Sequence, residues 1–217
     1  MMLEARNIYK GYPHLEVLKG IDLQIKQGEI VSVVGASGAG KTTLLHILGT
    51  LDKQDKGELF INGVNINQIN DRELALFRNN HIGFVFQFHN LLPEFSCFEN
   101  VCLPGYIGKR DRKLVEEKAK ALLDRLGLSQ RLNHKPSELS GGEQQRTSVA
   151  RALINSPSIV FADEPSGNLD SNNAEELHKL FFELRDEFNL TFVIVTHNLS
   201  LAKSADRKLE MRDGKIV

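Results

Sequence analysis

The chain has no tryptophan, three methionines and two cysteines in 217 residues. Cys97 and Cys102 are too few and wrongly spaced for a disulfide framework or a thiolate metal site, so they are expected to be small apolar fillers in a reducing compartment. An excess of one charge is also missing: 27 Lys and Arg face 28 Asp and Glu, for a formal net charge of −1. A nucleic-acid-binding protein normally carries a basic face, and these scattered charges argue against nucleic acid as a partner. No run approaches the roughly 18 apolar residues that cross a bilayer. The opening Met1-Met2-Leu3-Glu4-Ala5-Arg6 places an acid where a secretory leader needs an apolar stretch, so none is expected. Work at a membrane therefore calls for a partner that does the spanning. Repeats and low-complexity tracts are absent as well, and the 41% hydrophobic content is that of an ordinary globular unit able to bury a core.

What is present centres on Gly35-Ala36-Ser37-Gly38-Ala39-Gly40-Lys41-Thr42-Thr43, which fits G-x-x-x-x-G-K-[ST] with Gly35, Gly40, Lys41 and Thr42 in the fixed places. The apolar run 30–34 before it reads as a buried strand, and residues 43–48 after it read as the first turns of a helix. That context is the one the motif requires. Glycines at 35, 38 and 40 let successive N–H groups turn inward on a β-phosphate at a helix N-terminus. Lys41 is expected to place a point charge on the β- and γ-phosphates, and the Thr42 hydroxyl to ligate Mg²⁺.

Along the chain, residues 2–34 read as short strands with turns at Gly11-Tyr12-Pro13 and Lys26-Gln27-Gly28. A strand near 57–61 precedes the turn Asn62-Gly63, residues 71–78 read as helix, and 82–86 is an apolar strand ending at Gln87. From 88 to 104 the chain is rich in Phe, Leu and Pro with neither helical nor strand periodicity. Residues 110–126 return to a helical pattern, with Leu114, Ala119, Leu122, Leu123 and Leu126 on one side and Gly127 as C-cap. Helices are expected from Ser140 to about Asn155 and over 173–188, and strands over 159–162 and 191–196. The alternation implies an α/β fold with a largely parallel sheet, interrupted by a mostly helical insertion near 88–155.

Two further stretches carry chemistry. Asp163 and Glu164 end an apolar strand, where ligands bind in open α/β sheets; Asp163 suits a Mg²⁺ contact opposite Thr42, and Glu164 suits polarisation of an attacking water. Alone, such a pair usually reads as a solvated turn; the phosphate loop in the same chain reverses that reading. In Leu139-Ser140-Gly141-Gly142-Glu143, Ser140 and Glu143 form a capping box. Capping does not explain two glycines in the first turn. Bare N–H groups, a hydroxyl and a positive dipole end make a second anion site there, which serves one nucleotide with the first only if the two meet across an interface.

On these residues the chain resembles the nucleotide-binding subunits of ABC transporters over essentially its whole length. GASGAGKT is similar to the family's phosphate loop, LSGGEQQR to its signature, and IVFADE to the strand that ends in a metal-contacting aspartate and a catalytic glutamate. SGNLD over 166–170 is similar to the D-loop, Gln87 to the Q-loop glutamine, and His197 in VIVTHN to the switch histidine. Tyr12 fits the aromatic that stacks on adenine, though alone it reads equally as a turn or core tyrosine, and His197 alone as a structural histidine. FQFHNLLPEF, ENVCLP, NHKPSELSGGE, ADEPSGNLD and LEMRDGKIV are most like the ATPases of lipoprotein-releasing systems. ADEP-x-GNLD is shared with macrolide-export and cell-division ATPases of the family and does not separate them. A DNA-repair ATPase of the same superfamily would need a coiled-coil or zinc-bearing insertion, and a phosphate-loop kinase would need no signature helix.

The resemblance implies a phosphate-loop NTPase fold in one domain over 1–217, with residues 1–87 and 156–217 forming a catalytic core that carries an N-terminal antiparallel β-subdomain, and 88–155 an inserted helical subdomain. It implies ATP with Mg²⁺, held by Gly35, Ala36, Ser37, Gly38, Ala39, Gly40, Lys41, Thr42, Thr43 and Tyr12 of one subunit. Ser140, Gly141 and Gly142 would complete the site from a second copy, and Asp170 would also bind the nucleotide. Thr42, Gln87 and Asp163 would hold the metal, and Glu164, His197 and Lys41 would act in hydrolysis. It further implies a homodimer on the cytoplasmic face of the bacterial inner membrane, docked near 88–104 on integral permease subunits.

Overall fold

Residues 1–217 are all described by the computed structural model, and their backbone is organised around two sheets with different reasons for forming. In the first, β1 (Leu3–Tyr12), β2 (Leu15–Ile25), β4 (Lys56–Ile61) and β5 (Val64–Asn65) pair antiparallel in the order β2-β1-β4-β5. One face of β1 is buried through Leu3, Ala5 and Ile8, and an irregularity containing Asn7 (φ 52°) resets the alternation between Ala5 and Ile8. In the second, β3 (Ile30–Gly35), β6 (Ile82–Phe86), β7 (Ile159–Asp163), β8 (Thr191–Val195), β9 (Arg207–Arg212) and β10 (Lys215–Ile216) run in the order β10-β9-β3-β8-β7-β6. All of its pairings are parallel except β10 on β9.

The continuous apolar runs of the second sheet reflect burial on both faces. Ile30, Val160, Ala162, Phe192 and Ile194 point into one core, shared with α3 (Cys97–Ile107), α4 (Arg112–Arg125), α5 (Gly141–Leu153) and α6 (Ser171–Phe188). Val31, Val33, Ile159, Phe161, Val193 and Val195 point into the other, shared with α1 (Lys41–Leu48) and the antiparallel sheet. The antiparallel sheet and the phosphate-loop strand thus close on one dry core. α2 (Asp71–His81) leads into β6, and α7 (Leu199–Ser204) separates β8 from β9.

Three sequence expectations need correcting. β1 continues through Gly11 and Tyr12, and the chain turns at Pro13 and His14, the latter in the left-handed region (φ 69°). Residues 97–104, part of the stretch expected to lack periodicity, fall in α3, which is opened by a reciprocal capping box between Ser96 and Glu99. Cys97, Asn100, Val101, Cys102 and Gly105 form its buried side, but Asn100 and Gly105 are not apolar and Ile107 is 71% exposed, so apolarity does not mark that side; Pro104 sits inside the helix. In α4 the inward residue is Val115, while Leu114 is 65% exposed; Ala119, Leu122, Leu123 and Leu126 are buried as expected. Gly127 donates to Asp124 O and Leu128 to Leu123 O, a Schellman closure that places Gly127 one residue beyond the cap. β9, β10 and α7 drew no expectation.

The core around β8 and α6 predicts where stability resides. Phe181 is fully buried, with its ring 5.2 Å from that of Phe192. Phe181→Ala is expected to destabilise the protein by about 3–5 kcal/mol through lost burial and a residual cavity, read by urea unfolding. A loss below about 1 kcal/mol would contradict this packing.

Candidate nucleotide site

Residues from both sheets and from three loops converge at the carboxyl ends of the parallel strands. β3 ends at Gly35, where a Cβ would come within 2.3 Å of Met211 O in β9; only glycine allows that approach. α1 starts after Gly40, in the left-handed region (φ 97°), with no side chain capping its first N–H groups. Those donors and the positive helix end face the loop of residues 36–39. Lys41 is buried, and its ammonium donates to Gly35 O and Ala36 O, each at 2.9 Å. The phosphate loop therefore encloses a cation whose partners are carbonyl oxygens rather than a carboxylate.

Thr42 and Asp163, 121 positions apart, are brought together: the hydroxyl donates to Oδ1 at 3.3 Å. Burial raises the Asp163 carboxyl above its ordinary range. Glu164, the next residue, adopts φ 45° and donates its N–H to Val195 O at 2.9 Å. A left-handed backbone at a non-glycine residue is a strained choice, and it turns the side chain off the strand. The carboxylate Oε2 accepts the His197 N–H at 3.0 Å. His197 Nε2 lies 3.1 Å from Oε1 at an angle unsuited to a hydrogen bond, so Oε1 is buried with no hydrogen bond from the protein. Burial likewise raises the Glu164 carboxyl, moving it toward the range of a working general base. Side by side at the end of β7 stand one carboxylate bonded to a hydroxyl and one with a free buried lone pair.

Gln87 is at the end of β6, and its Nε2 donates to Asn168 Oδ1 while Asn168 Nδ2 donates back to Gln87 O, each at 3.1 Å. The glutamine expected near the metal is thus coupled to the 166–170 loop. Asp170 caps α6, accepting from Asn173 N at 3.0 Å and from Asn173 Nδ2 at 2.6 Å. Ser140 caps α5, and the Glu143 carboxyl is lowered to about 2, first by its hydrogen bond from Arg131 and then by the Ser140 N–H. Gly142 packs so closely on Asn173 that a Cβ would meet Oδ1 at 2.4 Å. Ser140, Gly141 and Gly142 share no hydrogen bond with residues 35–43 of the same chain. Tyr12 is 48% exposed, and its phenol donates to Asp52 Oδ2 at 2.9 Å.

Several participants were not foreseen. Gln145, fully buried in α5, donates to Pro165 O at 2.7 Å and to Phe86 O at 3.4 Å, joining the residue after Glu164 to the residue before Gln87. Asn168 and Asp52 belong with it. Each acts on backbone or side-chain atoms distant in sequence, so no local spacing betrays it; the one available signal was a polar residue on the inward side of the helix at 145.

Residues 18–167 match the family model described as "ABC transporter". The chain is 62% identical over 216 residues to the lipoprotein-releasing system ATP-binding protein LolD of Cytophaga hutchinsonii, covering 100% of this chain and 99% of that protein. It is 57% identical over 216 residues to the protein of the same name from Bacteroides fragilis, covering 100% of each. Among solved structures, it matches a dimeric ATP-binding cassette in a post-hydrolysis state bound to ADP and Pi, with TM-score 0.90, 39% identity and coverage of 99% of this chain and 96% of that one. A second dimeric structure, of a bacterial ABC transporter cassette, gives TM-score 0.88 at 40% identity over 99% of this chain and 96% of that one. With its phosphate loop, paired strand-end carboxylates and capped signature helix on that fold, the chain belongs to the ABC transporter family as an ATP-binding cassette.

Proposed function

We propose that this chain is the ATP-hydrolysing subunit of a system that releases lipoproteins from the bacterial inner membrane, working as a homodimer on the cytoplasmic face of a membrane-spanning partner. The observation that carries the reading is full-length identity of 62% to a lipoprotein-releasing system ATP-binding protein. No helix of the chain is long and apolar enough to cross a membrane, consistent with a partner that spans.

In this reading Gly35 to Thr43 wrap the β- and γ-phosphates of ATP, Lys41 shifts from its carbonyl partners to phosphate oxygens, and Tyr12 takes the base. The donor set fits Mg²⁺: a hydroxyl and a carboxylate supply hard oxygen, and no cluster of three His, Cys, Asp or Glu side chains is present that would suit a softer or fully protein-held ion. Thr42 and Asp163, with Gln87, would hold it, and when bound it neutralises charge on the phosphate oxygens. Glu164 accepts a proton from the attacking water through Oε1, while the His197 N–H holds Oε2 in place and the His197 ring stands 3.1 Å from Oε1, beside the same water. Ser140, Gly141, Gly142 and Asp170 of a second copy face the γ-phosphate side, so ATP holds two subunits together. The segment 88–155 then moves against the rest and transmits the change to the partner. Phe88, Leu92, Phe95 and Ile107, exposed between 36% and 73%, give that partner an apolar face to cover.

Glu164→Gln retains the shape but loses the acceptor charge. It is expected to bind ATP normally and to turn over roughly 10²-fold or more slowly, accumulating an ATP-bound dimer on size-exclusion chromatography. A monomeric variant hydrolysing at the parent rate would remove Glu164 from this role. Lys41→Ala and Gly141→Asp chains, each inactive alone, should regain activity when mixed, because one composite site then has both intact halves. Summed activity no greater than the parts, in a proven heterodimer, would sink the composite site. Polar substitution at Leu92 or Phe95 should lower recovery with the membrane partner in a pull-down and leave nucleotide affinity of the isolated subunit unchanged; undiminished recovery would exclude this face as the dock.

A further inference from the structure

The aromatic residue assigned to the base and the loop assigned to the phosphates come from different sheets, and one carboxylate joins them. Tyr12 ends β1 of the antiparallel sheet, whereas Lys41 to Thr43 open α1 beyond the parallel sheet. A ring that is 48% exposed at a strand end has little packing to fix its plane. Its hydroxyl, however, donates to Asp52 Oδ2 at 2.9 Å. The other oxygen of that carboxylate accepts from Lys10 Nζ at 2.8 Å and from the Lys53 N–H at 2.7 Å, so Asp52 itself is held from two further directions. Lys10 also donates to Lys53 O at 2.6 Å and lies 5.4 Å from the Tyr12 ring centroid, over the ring.

The loop that carries Asp52 is anchored to the body of α1: the N–H groups of Leu51 and Asp52 both donate to His46 O, at 2.8 and 3.2 Å. The same loop grips the end of β1 a second time. Asp55 Oδ2 accepts the Gly11 N–H at 2.7 Å, and the Asp55 N–H donates to Tyr9 O at 2.9 Å. Through these bonds the orientation of Tyr12 is referred to the helix whose N-terminus cradles the phosphates. The Lys10 ammonium lies over one face of the ring, and at 48% exposure Tyr12 keeps surface open to a flat ligand group.

We propose that Asp52 is a positioning residue for nucleotide binding, tethering the Tyr12 hydroxyl so that the ring stands in fixed relation to the phosphate loop and stacks on the base of ATP without first being ordered. The proposal rests on the reading of Tyr12 as the base-stacking residue. Order imposed before binding is affinity not lost on binding, and stacking of a base on an aromatic ring is sensitive to where the ring lies. Asp52 touches neither base nor phosphate in this account, so its removal should leave a ligand without a base unaffected.

The test measures, by calorimetry on the full chain, the affinity for ATP and for inorganic triphosphate, a probe with the phosphates and no base. Asp52→Ala and Tyr12→Phe are each expected to weaken ATP about fivefold, a part of the stacking contribution, with triphosphate unchanged. In a Tyr12→Ala background, Asp52→Ala should add nothing further. Equal weakening of ATP and triphosphate by Asp52→Ala would overturn the proposal, because the residue would then be acting on the phosphate loop. So would parent-like ATP binding by Asp52→Ala and Tyr12→Phe while Tyr12→Ala is impaired: stacking would stand and the tether would fall. Parent-like ATP binding by Tyr12→Ala is a different result, removing the stacking reading and the tether with it. Should Asp52→Ala fail to fold, Tyr12→Phe carries the same test, since it deletes the tethered hydroxyl and leaves the 49–55 loop intact.

Discussion

Parallel pairing of β3, β8 and β7 is the constraint on which the site depends. Val33 in β3 is in register with Val195 in β8, and Val195 with Asp163 in β7. That register places the start of the phosphate loop, the residue before His197 and the paired carboxylates at one edge, although they are spread over more than 160 positions of chain. Parallel strands require crossovers that bury both sheet faces. The two apolar cores are therefore part of the means by which the site is assembled. A slip of one residue in β7 would turn Asp163 and Glu164 to opposite faces.

Burial then gives the assembled groups their chemistry. Asp163 and Glu164 share the same cause of a raised pKa and differ in their partners: one is spent on a hydroxyl and the other keeps a free oxygen. Neighbouring carboxylates with different partners are suited to different tasks. Lys41, enclosed by carbonyl oxygens, lacks a competing carboxylate that would have to be displaced before it met a phosphate.

Around this centre, hydrogen bonds run between segments rather than within them. Gln87 with Asn168 and Gln145 with Pro165 link the end of β6, the start of α5 and the loop after Glu164. Such bonds connect the helical segment to the strand-end carboxylates through a contiguous set of contacts, in which a shift of one segment alters the partners of another. Asp52 does the same for the antiparallel sheet.

The phosphate-loop motif, the capped start of α5 and the carboxylates at the end of β7 were legible in the sequence, because each is a local feature: glycine spacing, a capping box and an apolar run ending in acids. The parallel sheet was legible for a similar reason, since strands buried on both faces read as unbroken apolar runs. Periodicity did not reveal α3, whose buried side includes Asn100 and Gly105 while the apolar Ile107 is exposed, and it misassigned Leu114, where Val115 one position on faces the core. The pairing of Thr42 with Asp163 was expected through a shared metal; the tertiary structure alone decided that the two bond directly, that Glu164 leans on His197, that Gln87 pairs with Asn168 and that Tyr12 is held by Asp52. Each is a contact between residues at least 33 positions apart, and a side chain's distant partner is set by how the sheets close on their shared core, which no local pattern encodes.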